Sequence, residues 1–282
     1  MAEFTQLVED FLRNEYETSP VTATALGLTD YDERLDDMSE AAYRKRDADA
    51  VEWIARFESV DPSTLSLDDQ IDRDLAIATL RGRTIAADWQ VWKRDPTIYS
   101  GPILNGLFYL FLNRLRPTAD LVDAAVARLE QVPRALEQAA ANLDPALAAR
   151  LIVERGLGSA RAGAGYVRSM LAEEADTDEG RDRLRAAGAV AGDAFDAFAA
   201  HLEALAGQAS GTWVYGEDRY SRQLREREVL NFDARSLREM GQVEYDRLDT
   251  EMRALAREAK GTDDWHAVLN EANEDHPPTE EA

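Results

Sequence analysis

No cysteine occurs in the 282 residues, which excludes disulfides and thiolate metal sites and fits a reducing compartment. Histidine is nearly missing too. His201, His266 and His276 are the whole supply, and no HExxH or ExxH spacing is present for a zinc pair or a carboxylate-bridged metal. The chain also lacks GxxxxGK[ST], a strand-linked GxGxxG and GxSxG, so it carries neither a nucleotide loop nor a serine nucleophile elbow. Lysine is confined to Lys45, Lys93 and Lys260, and 55 acidic against 32 basic residues give a net charge of −23. Such a surface repels phosphate backbones and anionic lipids, which argues against nucleic-acid and membrane partners. It suits a salt-loving source, where dense carboxylates keep a protein soluble, or an ordinary acidic protein. No apolar run reaches the roughly 18 residues of a membrane span. Met1-Ala2-Glu3-Phe4-Thr5 has an acid where a secretory signal carries basic residues, so a cytoplasmic location is expected.

What the chain does have is helical periodicity and 45% apolar residues, ample for a core. Phe4, Leu7, Val8, Phe11 and Leu12 form one stripe. Ser19-Pro20 supplies an N-cap and N1 proline, and Gly27 closes that short helix. An aspartate-rich loop follows over 28–38, and Ser39 opens a helix carrying Tyr43, Ala50, Trp53, Ile54 and Phe57. After Ser66 a long helix of about 67–94 is predicted, with a seam of Ile71, Leu75, Ala78, Gly82, Ile85, Trp89 and Trp92. Residues 99–116 are the most apolar stretch and belong in the centre of the fold. Thr118 starts an amphipathic helix that Pro133 should kink or divide. Asp144-Pro145 starts another, loosened by the glycines of 156–165. Leu184, Gly188, Ala191, Phe195, Phe198, Leu202 and Leu205 mark one further long helix. Asp233 caps a second, with Leu237, Gly241, Tyr245, Leu248, Met252 and Leu255, and Trp265 to Leu269 end the series. No segment alternates as a strand does. The expected fold is all-α, an elongated multi-helix bundle with long antiparallel helices and no substantial sheet. It forms one region, 1–282, with a soft boundary near 156–165.

Local clusters mostly favour structure over chemistry. Asp68, Asp69, Asp72 and Asp74 lie beside arginines on an exposed face, and Gly156-Leu157-Gly158-Ser159 reads as a helix interruption. His201 flanks a core seam, and Trp89, Trp92, Tyr99 and Phe108 read as core packing around Pro96. After His276-Pro277-Pro278, Thr279 is a good N-cap followed only by Glu280, Glu281 and Ala282. A helix needs about three turns to be worth forming, so the chain is expected to be the N-terminal portion of a larger protein.

Five phrases, in their order and spacing, resemble the N-terminal half of the prokaryotic family known as domain of unknown function 885. They are PVTATALGLTDYDERLDDMS (20–39), SLDDQIDRDL (66–75), WKRDPTIY (92–99), ARLEQVPRALEQAAANL (127–143) and YGEDRYSRQL (215–224) with its following helix. Members of that family resemble gluzincin-type zinc metallopeptidases, mostly helical, with an HExxPGHH-like motif well downstream of the region matched. That motif is absent here, so the resemblance assigns this chain no catalytic or metal-binding residue. Zinc would belong to the full-length protein, and these helices would form one wall of a peptide cleft closed by a missing C-terminal half. Tyr99, Asn105, Arg114 and Tyr220 are the candidate groove contacts, being polar or amphipathic beside glycine, proline or the most buried segment. The rival reading is a self-contained, non-enzymatic helical module that binds a partner protein. A small-ligand carrier using the aromatic cluster is a third.

Overall fold

A computed structural model describes residues 2–274 of the chain. His276 and the helix start read at Thr279 lie outside the described residues. No strand occurs among them, and eleven α-helices do, so the fold is all-α. No helix of the described residues is long and apolar enough to cross a membrane. Two compact units are present, 1–215 and 216–282, and each is taken by itself. The glycine-rich stretch read as a soft boundary lies inside a helix of the first unit.

In the first unit the helices are α1 (Ala2–Thr18), α2 (Pro20–Ala25), α3 (Glu40–Glu58), α4 (Leu67–Trp89), α5 (Thr97–Asn113), α6 (Thr118–Asn142), α7 (Arg150–Gly165) and α8 (Asp178–Gln208). Several starts follow from local chemistry. The Ser39 and Ser66 hydroxyls accept from the amides of Ala42 and Asp69, answering donors that the first turn of a helix leaves unpaired. Gln90, in the left-handed region at φ 52°, ends α4 earlier than the sequence suggests.

Two cores result. The smaller joins α1, α3 and α4 through Phe4, Phe11, Trp53, Phe57, Ile77 and Leu80, with Phe11 meeting Trp53 and Phe57 edge-on at 5.4 and 5.3 Å. The predicted α4 seam is only partly buried. Ala78 and Ile85 are covered, whereas Ile71 and Leu75 are 56% and 59% exposed and Ile77 and Leu80 are buried instead. The larger core centres on α8, which packs along α6 and α7 and buries every seam residue the periodicity named. In α5, Leu107, Leu110 and Phe111 are buried while Phe108 and Leu112 are exposed, so the segment is central on one face only.

Helix α6 runs unbroken through Pro133. An interior proline costs about 3 kcal/mol, but Leu129, Val132 and Leu136 beside it are buried. Each contributes roughly 1.5–3 kcal/mol, so packing wins. The glycines of α7 and α8 mark close approaches. An added Cβ at Gly156 would stand 2.2 Å from Pro96 Cγ, and one at Gly188 would stand 2.0 Å from the Val167 carbonyl oxygen. Val167 lies in a π-helical turn, Tyr166–Met170, whose backbone packs on α8 at that glycine.

The aspartate-rich loop is strapped to α6. Arg128, with no exposure, donates to the carbonyls of Arg34 (3.0 Å), Tyr31 (3.1 Å) and Gly106 and to Thr24 Oγ1 (2.6 Å). The Thr24 hydroxyl in turn donates to Asp32 Oδ1, 2.9 Å away. Gln131 accepts from the Leu35 amide at 3.0 Å and donates to the Glu33 carbonyl at 2.7 Å. Asn142 donates to the Met38 carbonyl at 2.8 Å. An irregular segment can be buried only if its backbone groups are answered, and one row of α6 answers them.

The second unit holds α9 (Glu217–Arg222), α10 (Ala234–Lys260) and α11 (Trp265–Glu274). Asp233 caps α10 in a reciprocal box with Ser236, and Gly261 closes it at φ 70°.

Arg128→Met leaves three buried carbonyls and the Thr24 hydroxyl without their donor and is expected to cost about 3–5 kcal/mol in urea unfolding. Arg128→Lys should recover little of that, because an ammonium lacks the planar fork. Gly188→Ala is expected to cost about 1–3 kcal/mol through overpacking. Gly101→Ala, where a Cβ would meet nothing within 4 Å, should be neutral or stabilising by up to about 1 kcal/mol.

Candidate functional site

The four groove candidates occupy dissimilar places. Tyr99 is fully buried; its hydroxyl donates to the Trp92 carbonyl and accepts from Asn142 Nδ2 at 3.1 Å. Burial drives its phenol well above the ordinary range. It is a core residue. Asn105 is exposed on α5. Arg114 ends that helix in the left-handed region and pairs with Glu174 at 2.6 Å. Tyr220 belongs to the second unit and is 41% exposed. None of the four lines a cavity described below. Of the histidines, His266 stacks on Trp265 at 3.5 Å. His201, half-buried on α8, has an Nε2 without a hydrogen-bond partner, and burial lowers its pKa. Among the described residues no three His, Asp or Glu side chains converge on a position that could hold a metal ion.

One concave surface of the first unit lies between α1, α3 and α4. Two cavities adjoin there, of about 280 and 430 Å³, and both are walled by Glu15, Ser19 and Arg83. Arg83 forms a bidentate pair with Glu15, Nη1 to Oε1 at 2.7 Å and Nη2 to Oε2. These hydrogen bonds raise the pKa of the guanidinium. The larger chamber is apolar, lined by Val8, Phe11, Leu12, Leu26, Phe57 and Leu75. That explains why Leu75 lies uncovered.

The smaller chamber is more polar. Tyr43 stacks on Trp92 at 5.7 Å and 10°, and burial pushes its hydroxyl up to about 12. Arg46 lies over Tyr43 at 4.5 Å and donates to the Asp37 carbonyl. Asp47 lines the same space. Burial lifts its pKa against the opposing pull of Arg46 and Arg44, and no hydrogen bond reaches its carboxyl from the described residues. Sequence reasoning missed this group, although one signal was available. Glu15 continues the Phe4, Val8, Phe11 stripe, so an acid stands where the helix faces its neighbours.

In the second unit, α10 leaves its apolar stripe largely uncovered. Tyr245, Leu248 and Leu255 are 60%, 48% and 52% exposed, beside exposed Met240 and Val243. Only Ala256 of the whole helix is buried. Trp265 Nε1 donates to Asp249 at 2.9 Å, which ties α11 to α10.

A family model described as "Bacterial protein of unknown function (DUF885)" matches residues 20–282. No curated protein matches the chain. A solved structure from Shewanella oneidensis, described as "a putative lipoprotein of unknown function", shares 20% identity with a TM-score of 0.76 and covers 90% of this chain. The likeness shows a common fold. This chain spans about half, 48%, of the length of that protein.

For His201, a lowered pKa means the unfolded chain takes up a proton that the folded chain resists. Its contribution to stability is present above pH 6.5 and is lost as pH falls through the folded value. His201→Leu should therefore lose less in melting temperature between pH 7.5 and pH 5.5 than the wild type does, measured by circular dichroism.

Proposed function

Because the chain belongs to the bacterial DUF885 family, we propose that it is the helical, cleft-forming region of a zinc-metallopeptidase-like hydrolase whose catalytic motif lies in another part of the polypeptide. The observation that carries this reading is the uncovered stripe of α10. A 27-residue helix with Leu248 and Leu255 half-exposed in one apolar stripe presents the kind of uncovered surface that marks an interaction site. The length of the Shewanella structure outside the shared portion supports a second half as that cover. Peptides are the proposed substrate class, since an extended chain lies readily in a groove between helical layers. Among the described residues no set fits a zinc site, so no catalytic step is assigned to them.

The test compares this chain alone with the complete open reading frame in a peptide-library digest with added zinc. Hydrolysis by the complete protein and none by the chain is the expected outcome, with no stoichiometric zinc uptake by the chain in calorimetry. Leu248→Asp combined with Leu255→Asp should weaken binding of the chain to a separately expressed downstream half at least tenfold while leaving its helical content unchanged. Hydrolysis by the chain alone would overturn the proposal. An open reading frame that stops at residue 282 would overturn it too and favour the self-contained binding module.

A further inference from the structure

The smaller of the two adjoining cavities carries one charge that the fold does not use. Four charged side chains line it: Glu15, Arg83, Arg46 and Asp47. Glu15 and Arg83 neutralise each other in a bidentate pair. Arg46 is engaged by the Asp37 carbonyl and the Tyr43 ring. Asp47 alone has no hydrogen-bonded partner among the described residues. A half-buried carboxylate that receives no donor from its own protein forgoes a charge-assisted hydrogen bond, and here it does so at the edge of a preformed space of about 280 Å³.

The remaining wall defines what could supply that donor. Ala86, Ala87, Val91 and Ile98 give an apolar floor, and the Tyr43–Trp92 stack fixes one side. On the α1 side, Thr18 spends its hydroxyl proton on the Asn14 carbonyl, so its oxygen is left as an acceptor. Ser19, at the same edge, makes only a long 3.4 Å contact to Asp36. One carboxylate and hydroxyl acceptors over an apolar floor match the three donors of an ammonium on a compact hydrocarbon body. An inorganic divalent cation asks for several charged oxygens, and no such cluster exists among the described residues. A carboxylate ligand would meet Asp47 with like charge.

We propose that this cavity is a binding site for a small primary amine with an aromatic or branched aliphatic body, its ammonium held by Asp47 and its apolar part resting on Val91, Ile98 and Trp92. The site is built from α1 and the adjoining Ser19, from α3 and α4, from the short turn Val91–Lys93 and from the start of α5, and it stands whether or not the protein is a peptidase.

Phenethylamine is the probe, titrated calorimetrically into the whole chain, with 2-phenylethanol and 3-phenylpropanoate as partners that keep the body and change the head. The amine is expected to bind one to one, the alcohol at least tenfold more weakly, and the carboxylate not at all. Asp47→Asn should weaken the amine at least tenfold with an unchanged melting temperature. Asp72→Asn, in the neighbouring chamber, should leave it unaffected. Ala87→Leu, which fills the floor, should abolish binding and serves if the Asp47 variant fails to fold. No binding of the amine, equal binding of the carboxylate, or full affinity in Asp47→Asn would each overturn the proposal.

Discussion

A guanidinium sealed from water must be surrounded by acceptors, and the first unit is arranged around that demand at Arg128. Burial lowers its pKa to about 10 even though Asp32 and Asp36 pull the other way, the direction expected of a cation held away from water. Three carbonyls and a threonine hydroxyl answer it. Because two of those carbonyls belong to the segment 28–38, satisfying the charge also fixes the path of that loop. The loop in turn places Asp36, which accepts from the Val21 amide at 3.1 Å and lies 3.4 Å from the Ser19 hydroxyl. Ser19 stands in the wall shared by both cavities. A requirement of electrostatics in the interior thus reaches the surface where a ligand could bind.

The phrases by which the chain resembles its family meet at this point. Residues 20–39 contribute Thr24, Tyr31, Asp32 and Arg34, and residues 127–143 contribute Arg128, Gln131 and Asn142. The two phrases are opposite sides of one strap. Residues 92–99 join it when Tyr99 bridges the Trp92 carbonyl and Asn142. A family signature made of such residues encodes a backbone path. It explains why Tyr99, read from the sequence as a groove contact, is part of the core.

Much of the fold was legible because it is local. Ser39, Ser66 and Asp233 announce helix starts by a chemistry that needs no tertiary information. The seam of α8 is unambiguous because its opposite face is polar. Helix α4 is less legible, since it has apolar residues on two sides and periodicity does not say which side a neighbour covers. The glycines of 156–165 suggest looseness in the sequence, whereas Gly156 and Gly163 stand against Pro96 and the Phe195 ring. A glycine kept for closeness and one kept for flexibility look the same in a sequence. Arg128 itself carried a clue. It falls on the same arc of α6 as Leu121, Ala125 and Val132, where an exposed arginine would not be. The candidate site was the least legible, because Glu15, Arg83 and Asp47 come from three helices whose packing angles no local pattern contains.

If the strap governs the architecture, the aspartate-rich loop must be as stable as the helix that grips it. Native-state hydrogen exchange at the Leu35 and Val21 amides, both bonded to side chains rather than to regular structure, tests this most directly. A loop held by the strap should show protection comparable to the amides of Leu129 and Val132 in α6. Exchange at the rate of an open surface loop would contradict it.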